Sequence, residues 1–230
     1  MEFESLRREV LAANAALPEL GLVKLTWGNV SGLDRDTGVM AIKPSGVAYT
    51  AMTIEDLVLV DVATGEVVGG ERRPSSDTPT HVALYRALDG IGGIVHTHST
   101  YATAWAQAGR EIPVLGTTHA DFSSEPIRVT RSLTAQEIDA GYEAETATVM
   151  LEALGAHGDR IPAALVIGHG PFCWGPDAAH AVEAAVTLEE VARLALLSSL
   201  LEPGIGPLDA VLRDKHFDRK HGPAAYYGQT

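Results

Sequence analysis

The stretch GGIVHTHSTYATAWA, residues 92–106, passes from a strand pattern to a helical one. Its first half, a Gly pair followed by Ile94 and Val95, reads as a short buried strand running to His98, and its second half predicts a helix over 100–107. A strand feeding directly into a helix is a building unit of mixed α/β layers. The same stretch sets His96 and His98 two residues apart. Side chains alternate along a strand, so both imidazoles would face the same way and reach a common atom. Two readings stand at this point: a pair of metal ligands, or two hydrogen-bonded histidines in an apolar interior.

Outward from that stretch, apolar periodicity predicts helices over 6–17, 80–88, 134–154 and 178–201. TAQE at 134–137 fits a capping box, and Pro79 stands where a first-turn proline belongs. VMAIKPS, DLVLVDVATGEVV, IRVT and AALVIGHG read as strands. Ala63-Thr64-Gly65 between two β-branched runs predicts a hairpin, and with it antiparallel pairing. The expected fold is one α/β domain over 1–230 with a central, largely antiparallel sheet flanked by helices. No Walker A loop, G-x-G-x-x-G, H-E-x-x-H or G-x-S-x-G occurs, which removes the signatures of nucleotide-binding, zincin and serine-hydrolase chemistry.

The 230 residues are 46% hydrophobic, enough for a sizeable core, and carry a formal net charge of −13. Phosphate-backbone recognition needs a clustered Lys/Arg excess, so a nucleic-acid partner is not expected. Cys173 is the only cysteine, which excludes an intrachain disulfide. The amphipathic start MEFESLRREVLAANAAL is unlike a signal sequence, and no apolar run approaches the roughly 20 residues of a membrane span, so a cytoplasmic location and no membrane partner are expected.

The histidine pair needs further ligands. His169 closes the apolar run AALVIGHG just before Gly170-Pro171, and Asp77 lies in the loop before the Pro79 helix start. Asp77 also suits a plain helix-start role at the positive end of the helix dipole. Three imidazoles and one carboxylate make a nitrogen/oxygen donor set for Zn²⁺, Mn²⁺ or Co²⁺, and the lack of cysteine ligands favours a catalytic over a structural ion.

LTWGNVSG, IKPSGV, PSSDTPTH, GGIVHTHS, GTTHAD, HGPFCWG and KHGPAAYYGQ, in that order from residue 25 to residue 229, resemble the class II aldolase and epimerase family. The resemblance implies a three-layer α/β/α fold, a divalent metal with zinc foremost, and a homotetramer with active sites between subunits, completed by the C-terminal tail. By position it implies Asp77, His96, His98 and His169 as metal ligands. It further implies Gly28, Asn29, Ser45, Gly46, Ser75 and Ser76 around a substrate phosphate, to which Lys43 would add a point charge, although Gly, Ser and Pro in such stretches read on their own as ordinary turns. Asp121 and Tyr227 match its proton-transfer pair, and His216 a position near the site. The basic run RDKHFDRKH at 213–221 otherwise reads as a solvated helix face.

The implied reaction is epimerisation at C4 of L-ribulose 5-phosphate to D-xylulose 5-phosphate, a step of L-arabinose catabolism. Retro-aldol cleavage of C3–C4 gives an enediolate and glycolaldehyde phosphate; the aldehyde rotates and re-adds on its other face. A sugar-phosphate aldolase of the fuculose or rhamnulose 1-phosphate type is the alternative, together with a metal-free adducin-like interaction module. A histidine-carboxylate Fe²⁺ oxygenase is an unrelated possibility. Such aldolases generally carry Glu where this chain has Asp77.

Overall fold

The computed structural model describes residues 3–158 and 160–227, so the last two residues of the KHGPAAYYGQ motif lie outside it. Among the described residues the strands are β1 (Asn29–Asp34), β2 (Val39–Ile42), β3 (Val58–Asp61), β4 (Val67–Gly69), β5 (Gly93–His96), β6 (Ala163–Val166) and β7 (Gly170–Gly175). They form one sheet in the order β4-β3-β2-β1-β5-β7-β6, and every neighbouring pair is antiparallel. The helices are α1 (Glu4–Glu19), α2 (Thr78–Ala87), α3 (Thr100–Gln107), α4 (Thr117–Ala120), α5 (Ala135–Leu154), α6 (Ala178–Leu201) and α7 (Ala210–His221).

Alternation along β1 shows how the layers are sorted. A Cβ on Gly32 would meet Val10 and Leu6 of α1, while the neighbouring Ser31 points the other way, its Oγ 2.7 Å from His81 Nδ1 and 2.8 Å from Tyr85 OH of α2. Thus α1, α3 and α6 pack on one face, and α2 with its partner α5 covers the other. The expected three-layer α/β/α arrangement is present. Its apolar residues make one continuous core on both sides of the sheet, from Val10, Leu17 and Leu188 to Leu84, Tyr85 and Met150. Among the described residues no helix is long and apolar enough to cross a membrane.

The predicted helices over 100–107 and 178–201 match α3 and α6, and the Ala-Thr-Gly hairpin joins β3 to β4. Several expectations change. NVSGLD and GPFCWG, rich in Gly, Pro and small polar residues, were not expected as strands, yet they form β1 and β7. Both are central strands covered on two faces, where small residues let helices approach: a Cβ on Gly32 would lie 2.7 Å from Val10 Cγ2 of α1, and one on Gly175 2.9 Å from Ala181 N of α6. IRVT makes only isolated bridges, Ile127 to Ile112 and Val129 to Leu165. The strand expected to carry both histidines stops at His96, leaving His98 in the connection to α3. Finally, RDKHFDRKH belongs to α7, whose partner is the short α4.

Candidate active site

His96 ends β5 between Asn29 of β1 and Phe172 of β7. Its ring stacks on Phe172 at 4.2 Å, and Nδ1 donates to the Pro171 carbonyl at 2.9 Å. A carbonyl only accepts, so the proton sits on Nδ1 and the Nε2 lone pair is left for the cluster. His98 follows the strand end, and His169 occupies the turn between β6 and β7. The three imidazoles each offer a nitrogen within 4.8 Å of the other two, and His98 Nε2 is 3.2 Å from His96 Nε2. Two nitrogens bound at about 2.0–2.1 Å to one tetrahedral ion stand about 3.3–3.4 Å apart, so the spacing fits a shared metal. Burial drives the His96 pKa down to about 3 against the pull of Asp77, and lowers those of His98 and His169 as well. All three rings are therefore neutral at pH 7, the form a metal requires.

Asp77 is the N-cap of α2, but its side chain makes no capping bond. Instead Oδ2 accepts from Asn29 Nδ2 at 2.6 Å, and Asn29 Nδ2 also reaches Ser75 Oγ at 3.1 Å. Burial pushes the Asp77 carboxyl up, but His96, His81 and the Asn29 hydrogen bond outweigh it and hold it below the ordinary range. Its oxygens stand outside the three-nitrogen group, while its charge acts on all three rings. The Asp77 carboxylate is thus released from capping and held by Asn29.

Two loops run side by side next to this cluster. Pro44 and Pro74 form an isolated bridge, Ser45 N donates to Arg73 O at 3.0 Å, and Ser75 N donates to Lys43 O at 3.0 Å. Ser45, Gly46, Ser75 and Ser76 are thereby gathered, with Ser45, Gly46 and Ser76 exposed. Gly28, at φ +83°, brings its turn so close to β5 that a Cβ would lie 2.7 Å from the His96 carbonyl. Tyr49 OH holds that turn, 2.8 Å from the carbonyls of both Trp27 and Gly28. Lys43 is 2% exposed, with Nζ 4.9 Å from the Tyr49 ring centre and 3.3 Å from Pro44 O. Among the described residues no carboxylate pairs with it, and burial lowers its pKa. An ammonium so placed favours an incoming anion.

The other implied residues gather elsewhere. Asp121, just after α4, accepts from Arg219 Nε at 2.9 Å and Arg219 Nη2 at 2.5 Å, with His216 Nδ1 3.0 Å from its Oδ1. Burial raises its pKa, but the Arg219 and His216 bonds and the Arg219 charge more than offset this and leave it below the usual carboxylate value. The Tyr227 ring lies 4.7 Å from the Arg219 guanidinium and 4.5 Å from Lys220 Nζ. Asp121 lines a cavity with Trp174, Gly175 and Pro176, at the end of β7 remote from His169. The six residues of β7 span roughly 17 Å. Within one chain, then, Asp121, His216 and Tyr227 come together, and so do the imidazoles with Asp77, Asn29 and Ser75, but the two groups stand apart.

Three residues of consequence were not singled out from the sequence. Arg219 shares a face of α7 with His216, three positions earlier, a signal hidden by reading the basic run as solvated. His81 follows Asp77 by one helical turn; among the described residues its buried Nε2 has no hydrogen-bond partner, and burial depresses its pKa to about 4. Tyr142 places its hydroxyl 3.2 Å from His169 Nδ1 and gives no sequence signal.

Residues 8–196 match the family model for the class II aldolase and adducin N-terminal domain. The L-ribulose-5-phosphate 4-epimerase UlaF of Salmonella paratyphi A is 53% identical over 227 residues, covering 98% of this chain and 99% of that protein. Among solved structures, an L-fuculose 1-phosphate aldolase superposes with a TM-score of 0.80 at 27% identity, covering 92% of this chain and 95% of the other. The L-fuculose-1-phosphate aldolase of Thermus thermophilus gives 0.66 at 28% identity, covering 89% and 98%.

Proposed function

The chain belongs to the class II aldolase and adducin family, and from that membership we infer that it is an isomerase, epimerising L-ribulose 5-phosphate and D-xylulose 5-phosphate at C4. The observation that carries the substrate is the near-full-length likeness to L-ribulose-5-phosphate 4-epimerases. Asp77, His96, His98 and His169 would hold a divalent cation, zinc foremost, which when bound supplies Lewis acidity to the C2 and C3 oxygens of the ketose.

The remaining work falls to the chain's own groups. Lys43 neutralises the phosphate, while Gly28, Ser45, Gly46, Ser75 and Ser76 offer amides and hydroxyls to its oxygens. Held there, the cleaved aldehyde turns about its own carbon chain instead of leaving. Asn29 fixes Asp77 beside the imidazoles. Asp121 and Tyr227 exchange the C4 hydroxyl proton on opposite faces of the aldehyde, a task that needs each within about 3 Å of that proton. His216 orients Asp121. Because the two clusters stand apart within one chain, Asp121, His216 and Tyr227 act on the metal half of a neighbouring subunit, and the working form is a cytoplasmic homotetramer.

Aldol cleavage is the competing outcome, and Asp77 is the reason to place it second. A short carboxylate anchored by Asn29 stays at the metal, whereas a Glu has the reach to leave it and act as a base. The test is an assay of D-xylulose 5-phosphate formation in metal-stripped and zinc-reloaded protein, with a coupled reductase reporting free glycolaldehyde phosphate. Reloading should restore epimer formation with little free aldehyde, and Asp77→Glu should raise the released share. Undiminished turnover after complete stripping, or aldehyde as the main product of the parent, would overturn the reading.

A further inference from the structure

The three imidazoles are not held alike. His96 is locked by a backbone carbonyl and by stacking, both internal to the sheet. His169 rides on the β6–β7 turn and is only partly buried. Among the described residues its one hydrogen-bonding side-chain partner is Tyr142 OH, 27 positions away on α5. The Tyr142 ring centre lies 6.3 Å from that of His169, so the hydroxyl and little else of Tyr142 engages it.

The backbone of α5 is arranged to deliver that hydroxyl. Gly141 sits at φ +155° and ψ +83° inside the helix, and a Cβ there would meet nothing within 4 Å. The glycine is thus required by conformation and not by crowding. The kink redirects the chain just before Tyr142. Thr146 Oγ1 then donates to the Tyr142 carbonyl at 2.7 Å, and Thr80 Oγ1 of α2 donates to the Glu143 carbonyl at 2.6 Å. The same α2 starts at Asp77, so the two helices that present a carboxylate and a hydroxyl to the imidazoles are tied to each other.

We propose that Tyr142, set in place by the Gly141 kink, is a positioning residue that fixes the orientation and tautomer of His169. A neutral His169 that offers Nε2 to an ion carries its proton on Nδ1, and the Tyr142 oxygen accepts it. Metal ligands whose second nitrogen is tied in this way hold their ion more tightly, and loss of such a partner typically costs about 10- to 100-fold in affinity. The inference rests on the metal site proposed above, and its test separates the two.

Full-length Tyr142→Phe, Gly141→Ala, the double variant and His98→Asn are stripped and titrated with Zn²⁺ against a chromophoric chelator, and their Co²⁺ forms are recorded by visible absorption. Tyr142→Phe should weaken Zn²⁺ binding by about tenfold or more and shift the Co²⁺ bands, while the melting temperature of the metal-free protein stays at the parent value. Gly141→Ala should weaken binding in the same direction, and the double variant should be no weaker than the worse single one, because both changes remove one contact. A parent that loses Zn²⁺ on His98→Asn but keeps its affinity and Co²⁺ spectrum in Tyr142→Phe overturns the inference alone. A parent indifferent to His98→Asn overturns the site and the inference together.

Discussion

The two functional clusters are built by different means. The imidazole cluster grows from the middle of the sheet: His96 pairs across β5 with Asn29 and Phe172 and is buried with them, while His169 is half-buried and His98 exposed. The Asp121 cluster grows from the periphery, where α7 has no buried residue and meets Asp121 through the Arg219 ion pair and through His216 and His221. Packing positions the first group and charge the second. Packing in the sheet fixes His96 at a cost in desolvation, and the same effect, weaker toward the surface, lowers the pKa values of His98 and His169. A peripheral site held by charge is free to be shared across a subunit boundary.

The largest expected effect breaks the first region alone. His98→Asn removes one of few ligands and should lower metal affinity by at least about a hundredfold, with the rate falling in parallel and recovering in part at high added metal. Metal content and turnover are measured on the same sample; full activity in a protein shown to be metal-free would end the metal mechanism. Asp121→Asn, by contrast, should cut the rate by about 10²- to 10⁴-fold while metal content stays at the parent level. Loss of metal from this variant would mean that the clusters are not independent.

A smaller effect separates the two regions by pH. Buried His81 has a folded pKa of about 4 against an ordinary 6.5. Its folded pKa is depressed, so its contribution is complete above pH 6.5 and is lost as the pH falls from there toward 4, roughly 3 kcal/mol in all. His81→Gln should make the stability of the metal-free protein less steep over that window, leaving the share of the other depressed imidazoles, as read by urea unfolding at several pH values. The Asp121 carboxyl lies below its ordinary 3.8, so its stabilisation is complete above that pH and is lost only below it. Undocking of α7, followed by hydrogen exchange, should therefore need more acid than the first loss of stability; the reverse order would contradict the division.

The sequence made the first region far more legible than the second. His96, His98, His169 and Asp77 were nominated by residue type and spacing, because metal ligation demands particular side chains at strand ends and helix starts. The strands beneath them were partly hidden: Gly32 and Gly175 mark close approach of helices, which a single sequence cannot distinguish from turns. Asp121 and Tyr227 carried no local signal beyond the family resemblance, since their meeting depends on α7 folding back from nearly 100 residues away. The Asp121–Arg219 pair is a tertiary fact, and the Gly141 kink that aims Tyr142 lies inside what reads as an unbroken helix.

The central claim is that one chain's metal half works with its neighbour's proton-transfer half. The most direct measurement refolds His98→Ala and Asp121→Asn chains together over a range of mixing ratios and follows D-xylulose 5-phosphate formation. Random assembly places an intact metal half against an intact proton-transfer half at about a quarter of the sites in an equal mixture, so activity should peak there near a quarter of the parent value. If proven mixed assemblies never exceed the weighted sum of the two separate variants, each site lies within a single chain and the shared-site account is wrong.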